Sequence, residues 1–265
     1  MTDPAEIYDS WFVPVLFAPV AEQMVAGTAL PPQARALDIA CGTGIVARTL
    51  AARLQGQGQV TGLDLNPAML RVARRVSHDA GLTIDWVQGD AQALPFPDAA
   101  FDLAFCQQGI QFFPDRARAV AEMYRVLAPG GEVAIACWRG LARNTFFAHL
   151  AQAVQEQVGS DALAMPFALD DPRELTGLLQ QAGFQDVSVE PIAFTAVYTE
   201  PERFVDMQMT ASAAGIPVLQ GMRSEELAAV IDAIRADMAE YVNAATVDGQ
   251  LLVPVQGMLA RGVRR

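Results

Sequence analysis

The stretch ALDIACGTGIVA, residues 36–47, constrains the fold more than any other part of the chain. The apolar run ALDIA (36–40) predicts a short buried strand, and Gly42 and Gly44 follow it directly. With Ala47 they match the pattern G-x-G-x-x-A, in which glycines allow a tight turn and a close approach of the backbone to a ligand. The stretch therefore predicts a strand, a glycine loop and a helix start that together hold a nucleotide-like cofactor.

Strand-like and helix-like segments alternate after this loop. An amphipathic stretch at 44–54 precedes the strand QVTGLDL (59–65), and a helix with Asn66 as its N-cap and Pro67 as its first residue follows. Further segments are the strands LTIDWV (82–87), FDLAFC (101–106) and EVAIACW (132–138), and a helix over 116–127. Such alternation predicts a parallel sheet with right-handed crossovers.

The pattern changes after residue 138. Helices are predicted over 141–158, 171–184 and 224–242, and extended segments over 185–198 and 251–263. A helical block between two late strands predicts a cap over the sheet edge and no independent second domain.

The charge of the chain limits its partners. The sequence has 265 residues with 18 basic and 30 acidic side chains, which gives a net charge of −12. Binding to a phosphate backbone needs clustered positive charge, and the one basic group, Arg261, Arg264 and Arg265, is short. We therefore expect no nucleic-acid partner.

No membrane or targeting signal stands out. The first residues, MTDPAEIYDS, are acidic, and no apolar run reaches the ~18 residues that a membrane helix needs. Hydrophobic residues make up 52% of the chain, enough for a sizeable core. We expect a soluble, cytoplasmic protein without a membrane partner.

Three cysteines lie far apart, at the carboxyl ends of predicted strands: Cys41, Cys106 and Cys137. An odd number at such spacing argues against a disulfide framework. A metal site made of these thiols is conceivable, but no CxxC pair or neighbouring histidine supports it. We expect buried thiols and no metal.

Acidic residues separate two cofactors that both fit the glycine loop. Asp64 ends the second strand twenty residues after Gly44, as the ribose of NAD(P) also requires, so an NAD(P)-dependent oxidoreductase stays an alternative. Asp38 precedes the turn, where a carboxylate repels a pyrophosphate but suits a cationic amino-acid group; it could instead bind backbone amides of the turn. Asp90, after Gly89, adds an acid at the third strand. These acids favour a ligand with a positive centre and no phosphate.

Four segments in order resemble the motifs of one family. They are LDIACGTG (37–44), VTGLDLNPAML (60–70), GDAQALPFPDAAFD (89–102) and RVLAPGG (125–131), where Pro129, Gly130 and Gly131 predict a tight helix-to-strand turn. From about residue 34 to residue 139, the chain resembles the class I S-adenosylmethionine (SAM)-dependent methyltransferases. Within them it is most similar to the type 11 group that includes ubiquinone/menaquinone-biosynthesis and small-metabolite methyltransferases.

The resemblance implies a fold and a division of the chain. The fold is a Rossmann-like, doubly wound, mostly parallel sheet of seven strands, with a helical cap inserted before the last strand. One methyltransferase domain fills residues 1–265. Within it we expect a helical lid at 1–30, the SAM-binding core at 34–139, helices and a strand including the substrate cap at 140–250, and the final strand and tail at 251–265.

The resemblance also implies roles for individual residues around SAM. Asp38 and the backbone of Ala40, Gly42 and Gly44 would surround its methionine part, and Gln107 would face the methionine backbone and the methyl group. Asp64 would bind both ribose hydroxyls, and Leu65 and Met69 would pack against the adenine ring. Asp90 would bind the adenine amino group, and the Ala91 N–H would donate to the adjacent ring nitrogen.

The methyl acceptor is expected where polar and aromatic residues meet. CQQGIQFFPD (106–115) follows the fourth strand, YDSWFVPVLFAPV (8–20) is rich in aromatic residues, and Trp138 ends the fifth strand. The expected acceptor-binding residues are Tyr8, Trp11, Gln108, Gln111, Phe112, Trp138 and Arg139. They favour a small-molecule metabolite that accepts the methyl group on O, N or C by in-line displacement.

A general base is harder to assign. His78 falls on the polar part of a helix and is expected to face solvent, so His149 in the cap is the candidate catalytic base among the two histidines. The lack of a clear base leaves a third hypothesis, a protein that binds SAM without catalysis and acts as a regulator. A homodimer is one assembly that the chain could form.

Overall fold

A computed structural model describes residues 3–212 and 216–265 of the chain. Parts of the expected lid (residues 1–2) and of the expected cap (residues 213–215) therefore lie outside the described residues. The strands are β1 Arg35–Ile39, β2 Gln59–Asp64, β3 Asp85–Gln88, β4 Phe101–Gln107, β5 Leu127–Trp138, β6 Gln185–Tyr198, β7 Thr246–Val247 and β8 Gln250–Val263.

These strands form one mixed sheet in the order β3-β2-β1-β4-β5-β8-β6, with β7 paired to β8. The strands from β1 to β5 pair in parallel, and β8 runs antiparallel to both β5 and β6. The chain order reverses beside β1, so the carboxyl ends of β1 and β4 flank a crevice. The predicted doubly wound sheet is confirmed; the two-residue strand β7 is an addition that the sequence did not indicate.

Most helices occupy connections that the periodicity predicted, whereas α8 and α9, between the predicted segments 185–198 and 224–242, were not predicted. They are α1 Pro4–Ile7, α2 Ala18–Ala26, α3 Ile45–Leu54, α4 Pro67–Asp79, α5 Arg116–Val126, α6 Thr145–Val158, α7 Pro172–Ala182, α8 Phe204–Ser212, α9 Pro217–Gln220 and α10 Ser224–Ala245. The Asn66 side chain accepts a hydrogen bond from the Ala68 N–H at 2.9 Å, so the predicted N-cap of α4 is confirmed.

Alternate residues of the strands pack on opposite faces of the sheet. On one face Phe105 packs with α2, α3 and α6, and on the other face Cys106 packs with α5 and α7. Helices α8 and α10 extend the first layer over the antiparallel ribbon of β6 and β8. The cap thus shares its core with the sheet, as expected of a single domain.

The turn predicted at Pro129, Gly130 and Gly131 does not separate α5 from the strand. Strand β5 already begins at Leu127, and its pairing with β4 shifts so that Phe101 lies opposite Leu127. Gly130 has φ +83° and donates its N–H to the Arg264 carbonyl at 2.6 Å. The extra residues form a bulge inside the strand, because pairing with the last residues of the chain satisfies their backbone groups.

The N-terminal segment, residues 3–26, is helical as expected, but its middle part differs from an α-helix. Tyr8–Phe17 form a π-helix between α1 and α2, with Pro14 inside it. Proline lacks an N–H and removes one backbone donor from the helix. Wide turns of this kind occur often at functional sites, and this one lies next to the glycine loop.

Within the described part of the chain, no helix combines the length and the apolar character needed to cross a lipid bilayer.

Candidate active site

The glycine loop connects β1 to α3 through left-handed backbone conformations. Ala40 has φ +54°, Gly42 φ +55° and Gly44 φ +83°. A Cβ atom at Gly44 would lie 2.2 Å from the Trp86 ring, so only glycine fits there. A Cβ atom at Gly42 would meet no atom closer than 3.8 Å, at the Tyr8 ring. The loop thus leaves space above Gly42, on the side that Tyr8 covers.

Asp38 lies at the base of this loop and is 1% exposed. Its carboxylate accepts a hydrogen bond from the Ala47 N–H in the first turn of α3, at 3.0 Å. Burial raises the pKa of Asp38 to about 8, although the Ala47 bond acts in the opposite direction. The structure therefore shows the contact to backbone amides that the sequence left as an alternative; contact with methionine stays a prediction.

Asp64 ends β2 and holds the loop from the other side. One carboxylate oxygen accepts the Gly42 N–H at 2.7 Å, and the other accepts the Asn66 N–H at 2.8 Å. Burial raises the pKa of Asp64 from its usual value. Each carboxylate oxygen can accept a second hydrogen bond, so Asp64 keeps the capacity to bind a vicinal diol.

A cleft lies between this loop, the end of β4 and the N-terminal segment; we call it the central cleft. Its lining residues are Tyr8, Phe17, Asp38, Ala40, Cys41, Gly42, Thr43, Ile45, Val46, Gln107 and Gln108. The cleft brings together two kinds of predicted site residue. Four were predicted to bind the cofactor, namely Asp38, Ala40, Gly42 and Gln107, and two were predicted to bind the acceptor, namely Tyr8 and Gln108. Phe17 and Thr43 also line it and were not predicted, although both lie in segments that the sequence had already marked.

Several polar atoms on the wall of the central cleft have no partner among residues 3–212 and 216–265. They are Gln107 Oε1, Gln108 Nε2 and Thr43 Oγ1, and all three are buried. The opposite ends of the two amides are fixed. Gln107 Nε2 donates to the Phe17 carbonyl at 2.8 Å, and Gln108 Oε1 accepts the Trp138 N–H at 3.0 Å. The free amide ends supply one acceptor and one donor to a ligand.

This donor set fits the methionine end of SAM. An ammonium group needs acceptors and a carboxylate needs donors, and the free ends of Gln107 and Gln108 offer one of each. The lining contains the Asp38 carboxyl group and no lysine or arginine among its described residues, and the Asp64 carboxylate next to the lining accepts the Gly42 N–H. The buried Asp38 carboxyl group beneath the loop suits an ammonium group and disfavours a pyrophosphate, so the site favours SAM over the NAD(P) alternative.

The predicted adenine-side residues lie beyond the lining of the central cleft. Leu65 is 67% exposed and Asp90 is exposed, with its carboxylate accepting the Gln92 N–H at 2.8 Å. Ala91 is buried and Met69 is half-buried. All four follow the carboxyl ends of β2 and β3, the edge at which Asp64 lies. Their contacts with SAM stay predictions.

The predicted acceptor residues fall into a buried group and an exposed group. Gln111 is buried and donates to Gln108 Oε1 at 2.9 Å, whereas Phe112 is 48% exposed. The Arg139 guanidinium forms an ion pair with Asp170 at 2.9 Å. Trp11 stacks on Tyr198 of β6.

An aromatic wall adjoins the central cleft. Phe17 lies 6.1 Å from Trp138, and Trp138 lies 6.2 Å from Phe194 of β6, measured between ring centroids. We call Phe17, Trp138 and Phe194 the aromatic wall. Phe194 and Tyr198 were not among the predicted site residues. The sequence predicted the strand that carries them, but no local signal shows which other strand or helix it meets.

The two histidines lie away from the central cleft. His78 has a 90% exposed side chain, as expected. The His149 ring stacks on Tyr241 with centroids 3.6 Å apart, because α6 packs against α10. The structure therefore does not bring His149 to the lining of the central cleft, and it gives no geometric support for a base at this position.

The three cysteines are free and buried. Burial raises the pKa of Cys41, Cys106 and Cys137, which keeps their thiols protonated. In the described ranges, no three histidine, cysteine or acidic side chains come together as a group able to hold a metal ion.

A second groove lies at the opposite edge of the sheet. It is lined by residues between Ala51 and Val60 and between Gly81 and Asp85. These lie at the amino ends of β2 and β3, whereas parallel sheets bind ligands at the carboxyl ends of their strands. The central cleft is therefore the candidate active site.

The fold and the cleft define a class of protein: a doubly wound α/β protein with a glycine loop and two carboxyl groups suited to a cationic ligand. Residues 37–135 match the protein family described as "Methyltransferase domain". A demethylmenaquinone methyltransferase from Thermus thermophilus is 46% identical over 101 residues, which are 38% of this chain and 46% of that protein. A 2-phytyl-1,4-naphtoquinone methyltransferase from Thermosynechococcus vestitus is 37% identical over 175 residues, 62% of this chain and 77% of that protein. The alignment thus spans less than half of the Thermus protein.

Solved structures share the fold at lower identity. A Bacillus halodurans protein described as a methyltransferase superposes with a TM-score of 0.62 at 23% identity, covering 92% of this chain and 98% of that one. The [4+2]-cyclase SpnF superposes with a TM-score of 0.58 at 21% identity, covering 92% and 80%. A likeness at this identity shows the fold alone. The sequence relatives carry the assignment: the chain belongs to the SAM-dependent methyltransferases, and its cofactor is SAM.

Proposed function

We propose that the chain methylates an apolar, ring-containing small molecule of the quinone class. The observation that carries this proposal is the aromatic wall, Phe17, Trp138 and Phe194, which begins at the central cleft. Flat apolar rings are good partners for such side chains. The two relatives named above, which act on demethylmenaquinone and on 2-phytyl-1,4-naphtoquinone by their names, support the same acceptor class.

The residues of the central cleft would hold SAM from both ends. Asp64 would bind the ribose while it keeps the Gly42 N–H, and Gln107 and Gln108 would bind the methionine end. When bound, SAM supplies an electrophilic methyl group on a positively charged sulfur. Tyr8 and Phe17 cover the cleft from the N-terminal segment and exclude water from it, which strengthens the electrostatic contacts inside.

Alignment of the acceptor with the methyl group would supply most of the rate enhancement, and no histidine would act as a base. Burial, together with the nearby Asp64, Asp9 and Asp38, raises the pKa of Tyr8, so its hydroxyl stays protonated and serves as a hydrogen-bond donor. An acceptor carbon must be electron-rich to take an electrophilic methyl group, and the reduced, hydroquinone form of a quinone meets this need. The ring carbon would bond to the methyl group as the carbon–sulfur bond of SAM breaks, which leaves S-adenosylhomocysteine, and the ring proton would then pass to water, which restores aromaticity.

The remaining predictions on partners and organisation belong to the same proposal. The net charge of −12 supports the absence of a nucleic-acid partner, and cytoplasmic location and a homodimer stay predictions. The division into a lid (1–30), a core (34–139), a cap (140–250) and a final strand (251–265) is supported by the packing of the N-terminal segment and of α8 and α10 around the aromatic wall.

Methyl transfer from labelled SAM tests the acceptor class. The chain is incubated with a 2-prenyl-1,4-naphthohydroquinone or with phosphoethanolamine, and the label is followed by mass spectrometry. We expect label on the naphthohydroquinone and none on the charged amine. Replacing Phe17 by Leu should raise the KM for the naphthohydroquinone, whereas the same change at Phe96, which packs against Phe101 on the other face of the sheet, serves as the control. Label on phosphoethanolamine alone contradicts the proposal.

A further inference from the structure

Four buried polar atoms outside the lining of the central cleft lack a hydrogen-bond partner in the described ranges 3–212 and 216–265. One is Gln111 Oε1, whose side chain is bonded to Gln108 of the cleft. The other three are Trp11 Nε1, the Tyr198 hydroxyl and Gln208 Oε1. Tyr198 is only 2% exposed. An unpartnered buried polar atom destabilises the fold, and three on neighbouring side chains call for an explanation.

Trp11 and Tyr198 are in contact, and Gln208 lies on the helix that packs against Tyr198. The Trp11 ring stacks on the Tyr198 ring, with centroids 6.1 Å apart and an interplanar angle of 30°. Phe204 of α8 packs edge-on against Tyr198 at 5.1 Å, and Gln208 follows it by one helical turn, on the same face. Gln208 Nε2 donates to Ser212 Oγ at 3.1 Å, which leaves Oε1 as the free end of the amide.

These side chains continue the aromatic wall that begins at the central cleft. Phe194 of the wall and Tyr198 are four residues apart on β6, so their side chains lie on the same face of the strand. Trp11 lies in the same π-helix as Tyr8, which lines the cleft. An acceptor lying along the wall with one end at the cleft therefore points its other end towards Tyr198.

The chemistry of the three atoms selects the group that would satisfy them. An indole N–H only donates, an amide oxygen only accepts, and a phenol hydroxyl does both. A ligand hydroxyl matches this set because it can accept one hydrogen bond and donate another. The Arg203 guanidinium lies 5.2 Å from the Trp11 ring, but it is ion-paired with Glu200 at 2.7 Å, so its charge is already neutralised and does not favour an anionic group.

We propose that Trp11, Tyr198 and Gln208 bind a ring hydroxyl of the methyl acceptor and thereby select hydroxylated aromatic compounds over unsubstituted ones. Burial raises the pKa of Tyr198, which keeps its hydroxyl available as a donor. The identity of the ligand as the methyl acceptor rests on the proposed function. The binding preference itself does not.

Binding of a matched pair of small aromatic compounds tests the proposal. With S-adenosylhomocysteine in excess, the affinities of 1-naphthol and of 1-methylnaphthalene are measured by calorimetric titration. We expect the chain to prefer 1-naphthol by about tenfold or more. Tyr198→Phe should weaken 1-naphthol binding by roughly three- to tenfold and leave 1-methylnaphthalene unchanged, and Gln208→Met should remove part of the remaining preference.

Two controls separate recognition from a structural role. Tyr241→Phe removes a hydroxyl from a half-exposed tyrosine on α10 and should change neither affinity. The melting temperature of Tyr198→Phe should equal or exceed that of the parent chain, because an unpartnered buried oxygen has been removed.

Other outcomes overturn the inference. Equal affinity of the parent chain for both compounds, no binding of either, or equal loss of both in Tyr198→Phe would each show that the three atoms do not recognise a hydroxyl. The test needs no methyl transfer. A preference for 1-naphthol without methyl transfer to the naphthohydroquinone would therefore contradict the proposed acceptor class, but it would still support a hydroxyl-binding site at Trp11, Tyr198 and Gln208.

Discussion

Asp64 connects the glycine loop to the predicted ribose contact. Its two oxygens already hold the N–H groups of Gly42 and Asn66, so removal of the carboxylate loosens the loop and deletes the acceptor for the diol. We predict that Asp64→Ala lowers the affinity for S-adenosylhomocysteine by at least about tenfold, since charge-assisted hydrogen bonds contribute roughly 1.5–3 kcal/mol each.

Calorimetric titration measures this loss, and circular dichroism shows whether the variant folds. Asp85→Ala is the matched control, because Asp85 is exposed at the amino end of β3, whereas the loop lies at the carboxyl ends of the strands. Unchanged affinity in Asp64→Ala would rule out the ribose assignment.

Asp38 gives the apo protein a pH-dependent stability. Burial raises its pKa to about 8, above the ~4 of an unfolded aspartate, so the folded state holds a proton that the unfolded state has already lost. The contribution of this group to the free energy of unfolding therefore falls as the pH rises from about 4 to about 8, so the apo protein becomes less stable over this range.

The substitution Asp38→Asn isolates this effect. The asparagine oxygen can still accept the Ala47 N–H, and the group no longer titrates. Urea unfolding at pH 5, 6, 7 and 8 without ligand should show a smaller loss of stability with pH in Asp38→Asn than in the parent chain. Identical slopes in the two proteins would contradict the raised pKa, and Asp85→Asn shows the effect of removing an exposed carboxylate.

How much of the site could be predicted depends on the range of the contacts. Asp38, Gly42 and Asp64 follow from one loop and two strand ends, and the structure places all three together. Tyr198 and Gln208 are separated from Trp11 by most of the chain. Their meeting depends on the long antiparallel pairing of β6 with β8, which no local pattern encodes.

At the scale of elements, three ion pairs fasten the N-terminal segment over the central cleft. Asp9 pairs with Arg48 of α3 at 2.8 Å, with side chains only 14% and 17% exposed, while Asp3 and Glu6 pair with arginines of α4. Residues from α1 and the π-helix are thereby held against the two helices that follow β1 and β2. We therefore predict that the segment acts as a lid over the central cleft and that its closure is partly electrostatic.

We predict that Asp9→Asn loosens this lid. A partly buried ion pair stabilises the closed segment by about 1 kcal/mol. Without it, S-adenosylhomocysteine should dissociate about fivefold faster and bind correspondingly more weakly. The parent chain should also lose more affinity between 50 mM and 500 mM NaCl than the variant does. Stopped-flow fluorescence follows the dissociation.

The control for the lid is an ion pair far from the cleft. Asp186→Asn removes the partner of Arg265 at the end of the chain and should leave the dissociation rate unchanged. An Asp9→Asn variant with parental kinetics at low salt would show that the aromatic contacts of Tyr8 and Phe17 alone hold the segment.

The regular elements were predictable because their signals are local. Strand β6 occupies the predicted residues 185–198, and α4 begins at the predicted cap. The π-helix at 8–17 and the bulge in β5 were not predictable, since both arise where the chain adapts to a neighbour: the glycine loop in the first case and the residues around Arg264 in the second.

At the scale of the whole molecule, the central cleft couples cofactor binding to the stability of the fold. The N-terminal segment, the glycine loop and the end of β4 belong to different parts of the chain and all line the central cleft, so a ligand bound there would contact all three. A ligand that binds only the folded state stabilises it by about 2.7 kcal/mol at a concentration of 100 Kd. SAM and S-adenosylhomocysteine should therefore raise the melting temperature by several degrees.

NADH should not stabilise the chain, because the buried Asp38 carboxyl group lies beneath the loop that its pyrophosphate would have to occupy. Differential scanning fluorimetry with S-adenosylhomocysteine and with NADH at equal concentrations separates the two cofactors. In Asp64→Ala the shift with S-adenosylhomocysteine should shrink, whereas in Tyr198→Phe it should match that of the parent chain, since Tyr198 lies beyond the cleft on β6. A shift with NADH alone would reverse the cofactor assignment, and an equal loss in both variants would mean that the cofactor and acceptor regions do not act as separate sites.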